Sequence, residues 1–419
     1  MLDHFIENRD TVRRLRSGVI GSQLDSFATH LAQYGYAATT VRAQLTLLGH
    51  FSRWLTRRGC GIHELNDEWV GRFVNDRKRR GWLHRGHAAT LHQFLTHLRA
   101  RGVVASPAPI VDESSLGQLQ RHYDQHLRAE RGLAPATVTK YCGVFRWFLT
   151  DRFGDGPLDL RALDVSTITT FVIRHAHTMS PGCAKGMVTA LRSICHFLLQ
   201  RGAIDRDLAA GVPRMPDWRL ATLPKYLSPE EVARLLQACD LQAAVGRRDH
   251  AILLLLARLG LRAGEILALE LDDIQWRAGE ILVRSSKRLP QDRLPLLTEV
   301  GEALATYIRR DRPSHRTRRV FLCLKAPRRG FSHPSTVSTI VRRALARAGL
   351  SPALKGAHLL RHSLATRMLR QGASLPEIGL VLRHRAVQTT EIYAKVDLAG
   401  LRALAQPWPQ MEVHNERPL

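Results

Sequence analysis

Through the first 205 residues apolar side chains recur at helical spacing and no long stretch alternates apolar with polar positions, so this half is predicted to be all-α. The pattern occurs twice. YAATTVRAQL (36–45) parallels LAPATVTKYC (133–142), HELNDEWVGRFV (63–74) parallels RALDVSTITTFV (161–172), and HLRARGVV (97–104) parallels FLLQRGAI (197–204). The offsets from Thr40 to Thr137, Phe73 to Phe171 and Arg101 to Arg201 are 97, 98 and 100 residues, which predicts two copies of one helical unit in tandem. Each copy opens on a Thr-Val helix start and closes with a Leu-rich helix stopped by Arg-Gly. In the first copy Val41, Phe51, Trp54, Leu65 and Phe73 are expected inside a small bundle. The basic stretch DRKRRGWLHRGH (76–87) is expected on an exposed helix end or turn, where it suits phosphates.

Two linkers divide the chain. RGVVASPAPIVDES (101–114) is rich in Pro, Ser and small residues, and VPRMPDWRLATLPKYLSPEEV (212–232) carries four prolines. The second ends in a helix start: Ser228 caps, Pro229 takes the first helical position and Glu231 completes a capping box. The expected domains are therefore an extra helical domain over 1–105, a helical domain over 112–210 and a mixed α/β domain over 225–405, followed by a mobile tail over 407–419. In the third domain the pattern reads as a helix (RDHAILLLLARLG), a short helix (AGEILAL), a β-hairpin (280–296) and four or more helices. The predicted class is mostly α with a small β-hairpin or sheet in the last domain.

Charge changes the picture from a generic globular chain. Of 419 residues 62 are Lys or Arg and 37 Asp or Glu, a net +25 spread along the whole length, with a pI near 11.0. That excess points to a polyanion, with nucleic acid first. The six cysteines show no CxxC pair or zinc-type spacing, so no disulfide framework or metal site is expected. The start MLDHFIENRD lacks the pattern of a secretory signal, and the longest apolar run, AILLLLA (251–257), is too short to cross a bilayer. A cytoplasmic, nucleoid-associated protein with no membrane partner is expected.

The third domain collects one chemical theme. Arg262 follows an apolar helix in LGLRAGEILAL, Lys287 sits near the hairpin tip in SSKRLPQDRLPL, His358 and Arg361 share a helical face in HLLRH, and LRHRAVQTTEIYAKV adds His384 and, nine residues on, Tyr393. Singly, each has an ordinary structural explanation: a salt-bridged arginine, a core histidine, a packed tyrosine. Together they suit a phosphodiester. Attack at phosphorus spreads negative charge over the non-bridging oxygens, which forked guanidiniums stabilise well. A tyrosine can be the nucleophile where a cationic setting and a proton acceptor offset a phenol pKa near 10. A lysine on a loop can protonate the leaving 5′ oxygen. No carboxylate cluster of the metal-binding kind accompanies these groups, so metal-free phosphoryl transfer without a cofactor is expected.

GLRAGE, HLLRHS and LRH with Tyr at the ninth following position resemble the signature of the tyrosine recombinase (phage integrase) family, which includes Xer recombinases and lambda-type integrases. The resemblance covers 225 to about 405 as catalytic domain and, more loosely, 112–206 as core-binding domain. It implies an active set of Arg262, Lys287, His358, Arg361, His384 and Tyr393. Two positions depart from the pattern. Arg383 stands where the family usually has glycine; its guanidinium could add a contact to a DNA phosphate, and is expected instead to face solvent. The hairpin reads SSKR instead of Gly-Lys-Gly, so Lys287 is placed by its distance to RLPL and Arg288 is its rival. Glu265 matches a common family acid and is expected to orient an arginine.

The resemblance further implies a clamp on double-stranded DNA and attack by Tyr393 to leave a 3′-phosphotyrosyl link with no need of ATP. It also implies a homotetramer on paired sites, with accessory recombinases or DNA-bending proteins as candidate partners. A mobile element is the expected substrate context. The rival readings are a type IB topoisomerase, which religates the same strand, and a non-catalytic DNA-binding regulator derived from a recombinase.

Overall fold

The computed structural model describes residues 1–107, 112–154, 156–215, 223–284, 292–384, 386–397 and 401–402, the Val387 side chain excepted. Met1–Ala105 and Leu220–Leu419 make one compact unit, and Ser106–Arg219 a second.

The first segment runs α1 (Leu2–Phe5), α2 (Arg9–Arg16), α3 (Gly21–Gln33), α4 (Ala38–Thr56), α5 (Asp67–Arg79) and α6 (His87–Ala100). Leu24, Phe27 and Leu31 of α3, Val41, Leu48 and Phe51 of α4 and Phe94 and Leu98 of α6 are wholly buried, and Trp54, Leu65 and Phe73 join them. Each such side chain contributes ~1.5–3 kcal/mol relative to exposure. The end of the basic stretch, from Arg79 through Gly86, is exposed except for half-buried Leu83, and Arg80 lies over the exposed Trp82 ring.

The second unit holds α7 (Ser115–Gln125), α8 (Pro135–Phe153), α9 (Val165–Ala176) and α10 (Pro181–Gln200) around Tyr123, Phe145, Leu149, Ile168, Leu191 and Ile194. Its elements repeat the order of the first segment. The helices α4 and α8 are each 19 residues long, and a single 3-10 turn follows each (Ile62–Glu64 and Leu160–Ala162). Asn66 and Asp164 then cap α5 and α9 through their side chains, each accepting a backbone N–H. Gly102 and Gly202, at φ 69 and 65, stop α6 and α10 in the left-handed conformation that the two Arg-Gly signals anticipate.

The remaining segment begins with α11 (Pro229–Gln237). The Ser228 Oγ accepts from the Glu231 N–H, and the Glu231 carboxylate accepts in return from the Ser228 N–H at 2.9 Å. Helix α12 (Ala244–Arg258) carries the apolar run 251–257, every residue of which is buried, and packs chiefly against two later helices. After α13 (Ala263–Ala268) come β1 (Ile274–Gln275), β2 (Glu280–Val283) and β3 (Asp292–Pro295), an antiparallel sheet in that order. The hairpin register pairs Ile281 with Leu294 and Val283 with Asp292. Then follow α14 (Thr298–Arg310), α15 (Ser335–Arg347), α16 (Ala357–Arg370) and α17 (Leu375–Val381); α14 and α16 flank α12.

Residues 1–105 keep a core of their own yet meet the last segment inside one unit. The Arg328 N–H donates to the Tyr34 carbonyl at 2.8 Å. Gly35, at φ 74, lets the Arg328 side chain lie on the backbone, where a Cβ would come within 2.3 Å of Arg328 Cδ. No helix among the described residues is long and apolar enough to cross a membrane.

Candidate active site

Helix α16 presents two faces because its sequence does. Leu359, Leu360, Leu364 and Ala365 are buried, while His358, Arg361 and His362, at i, i+3 and i+4, share another face. Arg361 is itself only 4% exposed, an unusual location for a guanidinium, and main-chain oxygens hold it there. Its two terminal nitrogens donate to the carbonyls of Gly260 and Leu382. Burial first, then the charges of Arg262 and Arg383, bring it down to about 9, so it stays cationic at neutral pH.

Gly260 closes α12. At φ 58 it takes the left-handed C-terminal position, and the Leu261 N–H reaches back to the Leu255 carbonyl at 3.3 Å. A Cβ here would lie 2.7 Å from Leu382 Cδ2 and 3.0 Å from Leu364 Cδ2, so the close approach of α12, α16 and the segment after α17 requires glycine. Two residues on, Arg262 leaves the helix end with extended backbone and caps α13. Glu265 receives both its N–H and its Nη1, each at 2.8 Å, and the Arg262 Nη2 donates to the Arg383 carbonyl at 2.9 Å. Burial pushes the Glu265 carboxyl up, but the charge of Arg383 and the Arg262 contacts outweigh it, leaving the group below the usual carboxylate range.

Arg383 corrects the expectation of a solvent-facing side chain. It is 6% exposed at the side chain, its Nη2 donates to Glu265 Oε2 at 2.8 Å and its Nε lies 3.9 Å from Asp292 at the start of β3. Its backbone is left-handed at φ 55, alone among the described non-glycine residues, a conformation that costs about 1 kcal/mol or more. A carboxylate 118 residues earlier supplies the reason for burial: the ion pair replaces the water that the guanidinium gives up.

Tyr393 lies in a 3-10 segment, Glu391–Val396, and is 2% exposed. Its hydroxyl stands 2.9 Å from His362 Nδ1. Burial raises the phenol to about 12, against the opposing pull of Arg361. Burial lowers His362, with His358 and Arg361 adding to the effect, so the imidazole is neutral and able to accept. His384 contacts the Thr390 hydroxyl at 2.7 Å through Nδ1 and is brought down to about 4 by burial and then by Arg361, Arg262, His362 and Arg383. His358 stands exposed at the first turn of α16; the protein packed around it, then Arg361 and Arg262, hold it below the ordinary imidazole value.

Arg262, His358, Arg361, His384 and Tyr393 thus belong to one neighbourhood, joined by the bonds of Arg361 and Arg262 to the adjacent carbonyls of Leu382 and Arg383 and by mutual electrostatic influence. Lys287 and its rival Arg288 fall outside the described residues; the hairpin that bears them is anchored at Val283 and Asp292. The residue that sequence reasoning missed is His362. Its signal was present, since HLLRH places it one turn from His358 and beside Arg361 on the same helical face. Three guanidiniums, those of Arg262, Arg361 and Arg383, lie about the Glu265 carboxylate, and that local excess is suited to an anion. Among the described residues no group of three His, Cys, Asp or Glu is arranged to hold a metal ion.

Comparison with known proteins places this arrangement. Residues 225–399 match the model of the Phage integrase family. The chain is 43% identical over 97% of its length to "Putative integrase/recombinase y4rA" of Sinorhizobium fredii, covering 99% of that protein. It is 31% identical over 66% of its length to Tyrosine recombinase XerD of Xanthomonas axonopodis pv. citri, covering 92% of it. Among solved structures, XerH site-specific recombinase bound to palindromic difH substrate aligns with a TM-score of 0.55 at 18% identity. That alignment covers 80% of this chain and 94% of the other, a likeness of fold. The chain belongs to the phage integrase family, as a tyrosine site-specific recombinase.

Proposed function

We propose that this chain cuts and rejoins double-stranded DNA by way of a 3′-phosphotyrosyl intermediate, without metal or ATP, in the movement of a mobile element. The observation that carries the reading is the pairing of a buried phenol with a neutral imidazole beside Arg262 and Arg361. The Tyr393 oxygen forms the bond to phosphorus, its proton passes to His362 Nδ1, and the 5′ oxygen leaves as its own bond to phosphorus breaks. Lys287 is the proposed donor of the proton that this oxygen takes up. Arg262 and Arg361 face the charge that develops on the non-bridging oxygens, with His358 and His384 as further hydrogen-bond donors.

Metal independence follows from who meets that charge: guanidiniums do, and the nearest carboxylate, Glu265, is engaged by Arg262 and Arg383. The phosphotyrosyl ester conserves the energy of the broken bond, so a 5′ hydroxyl can reverse the step without ATP. Tyr393 is covered in the free chain, so DNA engagement must open its segment before attack. Residues 112–210 and 225–405 are proposed to clamp the duplex, 1–105 to add contacts, and four copies to act on two sites.

A duplex nicked near the cleavage point tests this. The short leaving strand diffuses away, and the wild-type chain should remain covalently attached in excess chelator as fully as in magnesium. Tyr393→Phe should bind the duplex but give no adduct. An adduct from Tyr393→Phe, or a strict divalent requirement for cleavage, would overturn the reading.

A further inference from the structure

We propose that Arg383 is a positioning residue that fixes Arg262 for the reaction, an inference that rests on the recombinase reading above. Three observations converge on it. Its guanidinium is withdrawn from solvent and donates to Glu265, the same carboxylate that takes the Arg262 N–H and Nη1. Its own carbonyl accepts from Arg262 Nη2, so Arg262 is gripped from both sides by one residue, directly and through an acid. Its backbone holds a left-handed φ of 55 that glycine would adopt without strain, yet the position carries a long side chain whose two terminal nitrogens are both engaged.

The geometry decides what the engagement does. Glu265 has two oxygens: Oε1 receives Arg262 Nη1, and Oε2 is shared by the Arg262 N–H and Arg383 Nη2. Without Arg383 the carboxylate keeps one cationic partner and is free to turn about its terminal torsion, and the Arg262 fork turns with it. With Arg383 in place the acid is clamped between two guanidiniums. The Arg383 Nε also faces Asp292 at 3.9 Å, so the same side chain ties the base of the β2–β3 hairpin to the segment that carries His384. Arg383 does not itself present a free terminal nitrogen to an incoming phosphate, because Nη1 donates to the Val381 carbonyl and Nη2 to Glu265.

The test is a cycle of wild type, Arg383→Gly, Glu265→Gln and the double variant, read as the single-turnover rate of adduct formation on the nicked duplex. Arg383→Gly is chosen because glycine accepts the backbone; Arg383→Asn, which also tolerates it, is the second variant should the first misfold. Arg383→Gly should slow cleavage about tenfold at saturating duplex while changing Kd less than about twofold. Adding Arg383→Gly to Glu265→Gln should slow it no further, since both act on Arg262 through one contact.

A duplex with methylphosphonate at the cleavage point separates positioning from a fold defect. It lacks the non-bridging charge that Arg262 meets, so the Arg383→Gly penalty should vanish there. A wild-type rate in Arg383→Gly, fully additive penalties in the double variant, or an equal penalty on both substrates would each overturn the inference. Failure of wild type to form any adduct would instead remove the recombinase reading on which it rests.

Discussion

The Tyr393 hydroxyl and His362 Nδ1 stand 2.9 Å apart, with their ring centroids 5.7 Å apart and the planes inclined at 58°. A phenol raised to about 12 does not ionise unaided at neutral pH, so the proton needs an acceptor in place before the oxygen can attack. His362→Ala is expected to lower the rate of adduct formation by about 100-fold with duplex affinity unchanged, and free imidazole should restore part of it. A rate equal to wild type would take His362 out of the proton path.

Arg361 joins structure to chemistry, and its loss should register in both. Arg361→Ala leaves the Gly260 and Leu382 carbonyls without their donors in a buried place, a cost of about 2 kcal/mol or more in unfolding free energy. Cleavage should fall by orders of magnitude, since removing one preorganised donor from such a site costs about 3 kcal/mol. Denaturant unfolding and adduct formation measured side by side check this; retained cleavage in a folded variant would exclude Arg361 from the site.

Acid should weaken the fold well above the carboxylate range. Burial, then neighbouring positive charge, brings His97 and His384 from 6.5 down to about 4, and burial lowers His30, His250 and His362 in the same direction. Below the unfolded value the open chain takes up protons that the folded chain refuses. Stability is therefore complete above pH 6.5 and falls as pH drops toward about 4. Melting temperature followed across that window should decline, and His97→Gln should flatten the decline. A flat profile for wild type would contradict it.

Much of this architecture could be read from the sequence because its signals are local. The Ser228–Glu231 capping box, the Gly102 and Gly202 stops and the β2–β3 hairpin each depend on residues within a few positions of one another. The five core residues named for the first segment are buried for the same reason, since a helical stripe has only one side to hide. Arg383 defeats this reasoning. Its fate is decided by Glu265 and Asp292, which lie far off in the chain, and a basic residue in a short loop gives no local sign of a remote acid. His362 is a different failure: the periodicity that singled out His358 and Arg361 applied to it equally.

Deleting residues 1–105 should shorten the DNA footprint and flatten the salt dependence of binding, because each lost phosphate contact lowers the slope by about one. Cleavage of the nicked duplex should survive at high protein concentration, as the constellation lies wholly beyond residue 260. An unchanged footprint and slope would make this segment a protein-protein element, with the Tyr34–Arg328 contact as its inner joint.

Arg361 is seated, among the described residues, by two peptide oxygens. Such a seat reads the path of the backbone, and at Gly260 that path itself calls for glycine. Substitutions elsewhere around the site therefore leave the guanidinium in place so long as the two turns that bear those oxygens keep their course. For retargeting by mutagenesis, the two turns through Gly260 and Leu382 are the features to preserve, and the chemistry of the neighbouring surface is open to redesign.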